Sequence, residues 1–136
     1  MRSDYIAPEN LHTVWPLVNE GLRIILNKCV DTFEPEDVYM RIKEGRAFLH
    51  MLDNDGYNGF MVLEVFTDAW KPIKRLSIWC LYSKDFEVMK TFLRDELRRL
   101  KRQAGCEKIR FISPRDGWAK KLEGLMTPIA QIYEAE

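Results

Sequence analysis

The sequence predicts a single domain, residues 1–136, of the α/β class, with a mixed (α+β) sheet and helices on both faces. Three observations favour this class: a strand–helix–strand unit between Leu76 and Pro114, a hairpin signal at Asp53–Gly56, and two helical segments before that hairpin. A chain of 136 residues is long enough to bury a substantial core. The predicted order of elements is α-α-β-β-β-α-β-α-β.

The strand–helix–strand unit is the most regular part of the sequence. Its pattern predicts a strand at Leu76–Tyr82, a helix at Phe86–Gln103 that ends at Gly105, and a strand at Lys108–Ser113. A crossover of this kind returns the second strand parallel to the first. Ligands of such sheets bind where a strand ends, which is here the turn Tyr82–Asp85. Alternation along the first strand predicts that Leu76, Ile78, Cys80 and Tyr82 share one face and that Ser77, Trp79 and Leu81 share the other.

Two helices are predicted before the sheet. Residues 1–8 are expected to be a lead-in without regular structure. The apolar spacing from Leu11 to Cys29 predicts a helix whose regular part begins at Pro16, because proline fits the first turn of a helix. A second helix is predicted at Pro35–Glu44, with Gly45 as its stop.

Antiparallel strands are predicted for the middle of the chain. Arg46–Leu52 and Tyr57–Thr67 flank Asp53-Asn54-Asp55-Gly56, which is typical of a tight hairpin turn. A helix at Arg115–Leu125 and a closing strand at Pro128–Tyr133 complete the predicted order.

The charge and cysteine content narrow the expected partners and compartment. Lys plus Arg and Asp plus Glu both number 21, so the net charge gives no reason to expect a nucleic acid or a membrane surface as partner. The opening Met-Arg-Ser-Asp is not typical of a signal peptide. Three separated cysteines indicate reduced thiols and a cytoplasmic location rather than a disulfide framework or a zinc site.

The order of elements resembles the GNAT superfamily, the N-acetyltransferase-like fold, over essentially the whole chain. The run Ser113-Pro114-Arg115-Asp116-Gly117-Trp118 is similar to small bacteriophage-encoded members, which often accompany virion-assembly genes. That likeness implies a protein partner from phage or host, and a location in the host cytoplasm or the virion. The residues that carry the wider resemblance are Gly45–Leu52, Asp53–Gly59, Ala104-Gly105-Cys106 leading into Ile109–Ile112, and Gly124-Leu125.

In that superfamily, acetyl-CoA lies on a glycine- and arginine-rich turn after the fourth strand, with its diphosphate on the amides that open the next helix. Here no glycine occurs between Gly59 and Gly105, and Asp85 and Glu87 place negative charge at that position. The sequence therefore predicts a degenerate loop and no cofactor. If acetyl-CoA does bind, the resemblance implies contacts with Leu81, Tyr82, Ser83, Lys84 and Phe86.

The catalytic positions implied by the resemblance also differ. Many members carry a tyrosine acid four residues before a glycine of the last helix, where this chain has Lys120 before Gly124. Tyr133 is a candidate substitute acid, although a tyrosine in a final strand is more often a core residue. Glu64 is the candidate base, because its neighbours on the same strand face are apolar. An outward-facing carboxylate is the alternative interpretation of Glu64.

Other features have ordinary interpretations beside their functional ones. Lys90, Arg94 and Arg98 form a basic stripe on the predicted central helix, which is more typical of a solvated face than of a binding site. His12 and His50 are isolated, so no metal site is expected. Trp70, Trp79 and Trp118 are candidate core residues, and Trp118 with Arg115 is alternatively a contact for a partner or for a second copy of the chain.

Two functions from different classes therefore remain open. The first is a non-catalytic binding or structural module on a GNAT-like fold, and the second is an acetyl-CoA-dependent N-acetyltransferase with an atypical cofactor loop. The first is favoured because the phosphate-binding turn and the acid position both depart from the superfamily pattern.

Overall fold

Five strands form one sheet, in the spatial order β1-β2-β3-β4-β5. The structure is a computed structural model that describes residues 1–28, 33–113, 117–130, 133 and 135. The elements in chain order are β1 (Arg2–Ile6), a 3-10 turn (Pro8–Asn10), α1 (Leu11–Leu26), α2 (Pro35–Lys43), β2 (Phe48–Asp53), β3 (Tyr57–Thr67), β4 (Lys74–Ser83), α3 (Phe86–Gln103), β5 (Lys108–Phe111) and α4 (Trp118–Lys121).

The sheet is mixed, as predicted. Strands β1 to β4 pair antiparallel, and β4 pairs parallel with β5 from Arg75↔Lys108 to Ile78↔Phe111. The parallel pair is connected through α3, which confirms the predicted strand–helix–strand unit. Both β3 and α3 have the predicted bounds. Gly105 closes α3 at a φ of +69°, the left-handed conformation expected for a helix stop.

The first strand was not predicted, and the expectation of an irregular lead-in over residues 1–8 is wrong. Arg2–Ile6 pairs along its whole length with β2, from Arg2↔Asp53 to Ile6↔Leu49. The segment Arg-Ser-Asp-Tyr-Ile has only one aliphatic side chain, so no alternating apolar pattern marks it. Its strand conformation comes from backbone pairing with a neighbour that lies over 40 residues away in the chain.

The predicted start of the first helix at Pro16 is also wrong, since α1 begins at Leu11 and contains Pro16. Proline at that position removes one intrahelical hydrogen bond. Leu11, which is fully buried, anchors the first turn to the core. The free energy gained by burying Leu11 therefore outweighs the cost of a proline inside the helix.

The second helix matches its prediction closely. Its start carries a capping box, in which the Asp37 carboxylate accepts a hydrogen bond of 2.8 Å from the Glu34 amide. The strand that follows begins at Phe48 rather than Arg46, because the amides of Arg46 and Ala47 both donate to the Arg41 carbonyl and extend the end of α2.

The end of the chain differs most from the prediction. The helix expected at Arg115–Leu125 is reduced to α4, four residues that follow Gly117 at a φ of +91°. In the closing strand expected at Pro128–Tyr133, the described residues belong to no strand. Ile129 and Tyr133 are 79% and 86% exposed, so neither of these two side chains is buried against the sheet.

A bulge in β4 changes which residues share a face. The β3–β4 register runs from Val62↔Cys80 to Leu63↔Ile78, which leaves Trp79 as the extra residue. Leu76 and Ile78 therefore face α3, whereas Cys80 and Tyr82 face α1 and α2. The predicted single face of Leu76, Ile78, Cys80 and Tyr82 is wrong for this reason.

Two apolar layers cover the sheet, one on each face. The first packs α1 and α2 on the strands and includes Leu11, Val18, Leu22, Leu49, Phe60, Val62 and Cys80. The second packs α3 and includes Leu63, Leu76, Ile78, Met89, Leu93 and Leu97. Of the three tryptophans considered as core, Trp79 joins the first layer and Trp118 the second, while Trp70 is 96% exposed.

His50 is buried beneath the edge strand β1. Its Nδ1 lies 3.3 Å from the Ser3 hydroxyl, and its ring contacts Tyr5. Burial lowers the pKa of His50 from its usual 6.5, while the nearby Glu96 carboxylate raises it and Arg99 lowers it.

We expect the free energy of unfolding to fall as the pH drops below about 6.5, because the unfolded chain then binds a proton at residue 50 that the folded chain resists. Denaturant unfolding of the wild type and His50→Gln between pH 7.5 and 5 tests this, and the variant should lose part of the pH dependence. His12→Gln, at an exposed helical position, is the control and should keep it. Parallel pH curves for the wild type and His50→Gln would contradict the prediction.

Candidate functional site

The turn between β4 and α3 is shaped by a close approach of two backbones. Gly59 on β3 lies opposite Ser83, and a Cβ atom at Gly59 would stand 2.0 Å from the Tyr82 carbonyl oxygen. The neighbouring Asn58 fastens the turn twice. Its carbonyl accepts a 2.7 Å hydrogen bond from the Lys84 amide, and its side-chain amide donates to the Ser83 hydroxyl over 3.3 Å.

A carboxylate of the chain lies at the first turn of α3. Asp85 is the N-cap, and its carboxylate accepts a hydrogen bond from the Val88 amide at 3.3 Å. The Asp85 amide donates to the Ser83 hydroxyl at 3.1 Å. Glu87 adds a second carboxylate to the same turn.

These residues do not fit the diphosphate of a coenzyme. The amides of Lys84, Asp85 and Val88 already donate to partners within the protein. A diphosphate at this helix end would also meet the Asp85 carboxylate at short range, where like charges repel. Lys84 is the nearest cation in sequence, and its Nζ lies 5.1 Å from the centre of the Tyr57 ring.

Tyr57 itself is an unusual neighbour of this turn. Burial raises the pKa of Tyr57 to about 12, with smaller contributions from Tyr82 and Glu20. Its hydroxyl is buried and has no hydrogen-bond partner within the described part of the chain. The phenol is therefore poorly suited to lose its proton.

Trp118 occupies the space between the end of β5 and the start of α3. Its ring contacts Phe111 edge-on at 4.8 Å between centroids and Phe86 at 5.6 Å. The Lys121 ammonium lies 5.3 Å from the Trp118 ring centre. Because β4 and β5 stop pairing at Ile78↔Phe111, this tryptophan lies where the two strands begin to separate.

The five predicted cofactor contacts point to different parts of the structure. Leu81 is buried in the α3 layer, Tyr82 stacks on Phe60 on the opposite face, and Phe86 packs on Trp118. Ser83 and Lys84 lie in the turn itself. Their role in cofactor binding stays a prediction.

Glu64 lies in a second, separate region on the α1–α2 face. Its carboxylate forms an ion pair of 2.5 Å with Arg41 of α2, and its side chain is 22% exposed. The Arg41 guanidinium also lies 5.5 Å from the centre of the Trp79 ring. Its Nε is buried and has no hydrogen-bond partner among the described residues.

The Glu64 carboxylate faces a cavity of about 590 Å³. Glu64 stands opposite Ser77 on β4. Burial raises the pKa of the Cys80 thiol, and the nearby Glu64 charge raises it further. Mixed polar and apolar groups line the cavity, namely Arg41, Gly45, Arg46, Phe48, Glu64, Val65, Phe66, Ser77 and Ile112. Such an opening has room for a small ligand or for a side chain of a partner.

The candidate base and the candidate cofactor turn lie far apart. Ser83 in the turn lies six positions after Ser77, which is beside Glu64, and six steps correspond to about 20 Å along a strand. Tyr133 is exposed and in no strand, and Arg115 lies outside the described residues. Trp118 is half-buried. The catalytic roles of Glu64 and Tyr133 and the partner role of Trp118 and Arg115 stay predictions.

Two residues that shape these regions were not predicted from the sequence. Asn58 ties the turn to β3, and Arg41 pairs with Glu64. A glycine inside a strand signals a close backbone approach, so Gly59 pointed to the first contact. No local pattern indicates the second, because Arg41 and Glu64 are 23 residues apart.

Known proteins match this chain in structure. A crystal structure of a ribosomal-protein-alanine N-acetyltransferase from Brucella melitensis biovar Abortus 2308 superposes with a TM-score of 0.69 at 12% sequence identity, covering 100% of this chain and 98% of that one. A possible acetyltransferase from Clostridium difficile 630 gives 0.69 at 13% identity, covering 99% and 96%. The fold is that of the GNAT acetyltransferases.

A third similar structure is an aminoglycoside acetyltransferase from an uncultured soil metagenomic sample, in complex with sisomicin. It has a TM-score of 0.67 at 10% identity, with 99% of this chain and 95% of that chain covered. No family model matches this chain, and no curated protein matches its sequence. At such low identities the GNAT likeness concerns the fold alone.

The described residues contain neither a metal-ligating cluster nor a membrane-spanning helix. They contain no group of three or more His, Cys, Asp or Glu side chains that could hold a metal ion. Among them there is also no helix whose length and apolar character would let it cross a bilayer.

Proposed function

We propose that this GNAT-fold domain is a non-catalytic binding module that does not use acetyl-CoA as a cofactor. The observation that carries the proposal is the Asp85 carboxylate at the N-terminus of α3. An anion-binding helix end needs open amides and no competing negative charge. Here a carboxylate of the chain occupies that position.

Two further features support the proposal. The turn is closed on itself by Asn58 and Ser83, so its amides cannot reorient towards a ligand without losing those hydrogen bonds. Trp118 packs against Phe86 and Phe111 in the space between α3 and β5. Opening that space would expose apolar surface from all three rings, which costs free energy.

The partner of such a module is proposed to be another protein. The resemblance of the Ser113–Trp118 run to small bacteriophage proteins supports a phage or host partner, met in the host cytoplasm or the virion. Trp118 and Arg115 are the proposed contact residues. A second copy of the chain is an alternative partner, and sedimentation of the purified protein over a range of concentrations distinguishes the two.

An acetyl-CoA-dependent N-acetyltransferase is the second candidate function. It is favoured by the Glu64 carboxylate beside a 590 Å³ cavity, where a base could meet an amine. In that interpretation Glu64 is the base and Tyr133 the acid, and the cofactor would contact Leu81, Tyr82, Ser83, Lys84 and Phe86. The Arg41 ion pair opposes this interpretation, because it already neutralises the carboxylate.

Titration with acetyl-CoA separates the two functions. We expect no change in the thermal midpoint up to millimolar acetyl-CoA, because a ligand stabilises a folded protein only if it binds the folded state. Amide NMR signals of residues 83–88 should likewise stay in place. Adenosine diphosphate serves as a control for adenine or phosphate binding alone.

Binding of acetyl-CoA in this titration would contradict the proposal. A stabilisation of about 2.7 kcal/mol at a hundredfold excess over the dissociation constant would establish a cofactor site. Shifts confined to the 83–88 amides, and their enlargement in Asp85→Asn, would locate that site in the turn. The enzyme function would then replace the binding module.

A further inference from the structure

An aromatic corner lies between the two helices that precede the sheet, on the surface away from α3. Trp15 of α1 and Tyr39 of α2 stand nearly perpendicular, with ring centroids 4.9 Å apart and planes at 77°. Together with Asn19, Glu36 and Met40 they line a cavity of about 330 Å³. We call these five residues the α1–α2 corner.

The surrounding structure holds this corner in a defined geometry. Trp15 and Tyr39 both pack on the buried layer beneath α1 and α2, so their rings are supported from below. The capping box of α2 fixes the first turn, in which Glu36 lies. Two packed helices therefore place both aromatic rings and the carboxylate around the same opening.

The carboxylate of the corner is available to a ligand. Glu36 forms no ion pair with any described residue, and it is exposed. Lys43, about two helical turns after Glu36, is directed elsewhere, since its Nζ donates to the Pro8 carbonyl. Met40 is 53% exposed, so its polarisable thioether also faces solvent.

The charge around the corner favours a cation. Residues 1–60 contain ten Asp and Glu against six Lys and Arg, whereas the remainder contains eleven against fifteen. The neutral chain is thus divided into an acidic part, which contains α1 and α2, and a basic part, which contains α3 and α4. Among the five residues of the corner, Glu36 carries the charge, and a carboxylate beside an opening raises the local concentration of cations.

We propose that the α1–α2 corner binds an organic ammonium group. The faces of Trp and Tyr attract a cation through their ring quadrupoles, and a neighbouring carboxylate adds a direct charge interaction. Quaternary or methylated ammonium groups suit such a corner best, because they combine positive charge with an apolar surface. The source is either a lysine side chain of a protein partner or a free small ammonium compound. The site is independent of acetyl-CoA binding.

The test uses probes that differ in charge but not in shape. Choline is titrated into the ¹⁵N-labelled full chain and compared with 3,3-dimethylbutanol, its neutral carbon isostere. We expect saturable shifts at the Trp15 indole and at residues 36–40 with choline, and at least about fivefold weaker binding of the isostere. Peptides that carry lysine or trimethyllysine form the second arm and distinguish a protein source from a free compound.

Matched variants make the outcome decisive. Glu36→Gln keeps the size of an exposed side chain and should weaken choline binding several-fold, while Trp15→Leu should abolish it. Tyr39→Phe keeps the ring and should bind as the wild type does, and Trp70→Phe, at an exposed position between β3 and β4, should also have no effect. Equal binding of choline and its isostere, unchanged binding in Glu36→Gln, or no saturable binding of any ammonium probe would overturn the proposal.

Discussion

Replacing Gly59 with alanine is expected to lower the free energy of unfolding by about 3 kcal/mol. The added Cβ would lie 2.0 Å from the Tyr82 carbonyl oxygen and 2.9 Å from the Ser83 Cα. Both are backbone atoms, so no side-chain rotation can relieve the overlap. The strands β3 and β4 would have to separate at the turn. That separation would break the hydrogen bond from the Lys84 amide to the Asn58 carbonyl.

Urea unfolding monitored by circular dichroism measures this effect. Gly56→Ala is the matched control, because Gly56 also has a positive φ, +123°, but its Cβ would meet nothing within 4 Å. The control isolates the cost of backbone strain, which we expect to be about 1 kcal/mol. A loss for Gly59→Ala no greater than that of Gly56→Ala would show that the close approach does not exist.

Gly21→Ala is expected to destabilise the protein by about 2 kcal/mol, against the usual trend for helices. Alanine within an exposed helix stabilises by up to about 1 kcal/mol relative to glycine. At Gly21, however, the Cβ would lie 2.5 Å from Phe60 Cε1 and 2.8 Å from Tyr82 Cδ1. Phe60 is fully buried, so its ring has little room to move.

A double-mutant cycle tests the cause of this loss. Phe60→Leu removes part of the ring that the new methyl group would meet, so Gly21→Ala should cost less in the Phe60→Leu background than in the wild type. Glu20→Ala, at the adjacent exposed position of α1, controls for helix propensity and should change stability little. Strict additivity of the two changes at residues 21 and 60 would contradict the predicted contact.

The regular centre of the fold could be predicted from the sequence because local signals agree there. Helix α3 combines an N-cap at Asp85, an apolar stripe and a glycine stop, and β3 is bounded by a hairpin turn. Both elements have the predicted bounds. The parallel return of β5 followed from the handedness rule for crossovers and needed no knowledge of distant contacts.

The remainder of the fold depends on contacts between distant residues. Strand β1 exists because β2 lies beside it, and the bulge at Trp79 appears only in the register of β3 with β4. At the other end, an apolar run at Pro128–Tyr133 suggested a strand, but the described residues there bury no face. Patterns of residue type cannot show whether a partner surface is present.

The candidate site likewise combines features that the sequence predicts with contacts that only the folded chain shows. The degenerate turn could be predicted, because a missing glycine and two extra carboxylates are visible in the sequence. Other contacts could not be predicted, because they join residues 23 or more positions apart: the hydrogen bonds of Asn58 and the ion pair of Glu64 with Arg41. The packing of Trp118 on Phe86 and Phe111 depends on the path of α4. Only the folded chain shows that Trp118 fills the region where β4 and β5 separate.

The extra residue in β4 has a consequence for how sequence length can vary in this protein. Before Trp79 the even-numbered residues of β4 pack in the α3 layer. After Trp79 the even-numbered residues pack in the α1–α2 layer. Deletion of Trp79 would remove the bulge and keep Cys80 and Tyr82 on the α1–α2 side and Leu81 on the α3 side, because regular alternation from Ile78 then gives the same faces. A change of one residue elsewhere in β4 would instead exchange the side chains that the two layers receive, so the bulge is the position in this strand where chain length can vary with the least effect on packing.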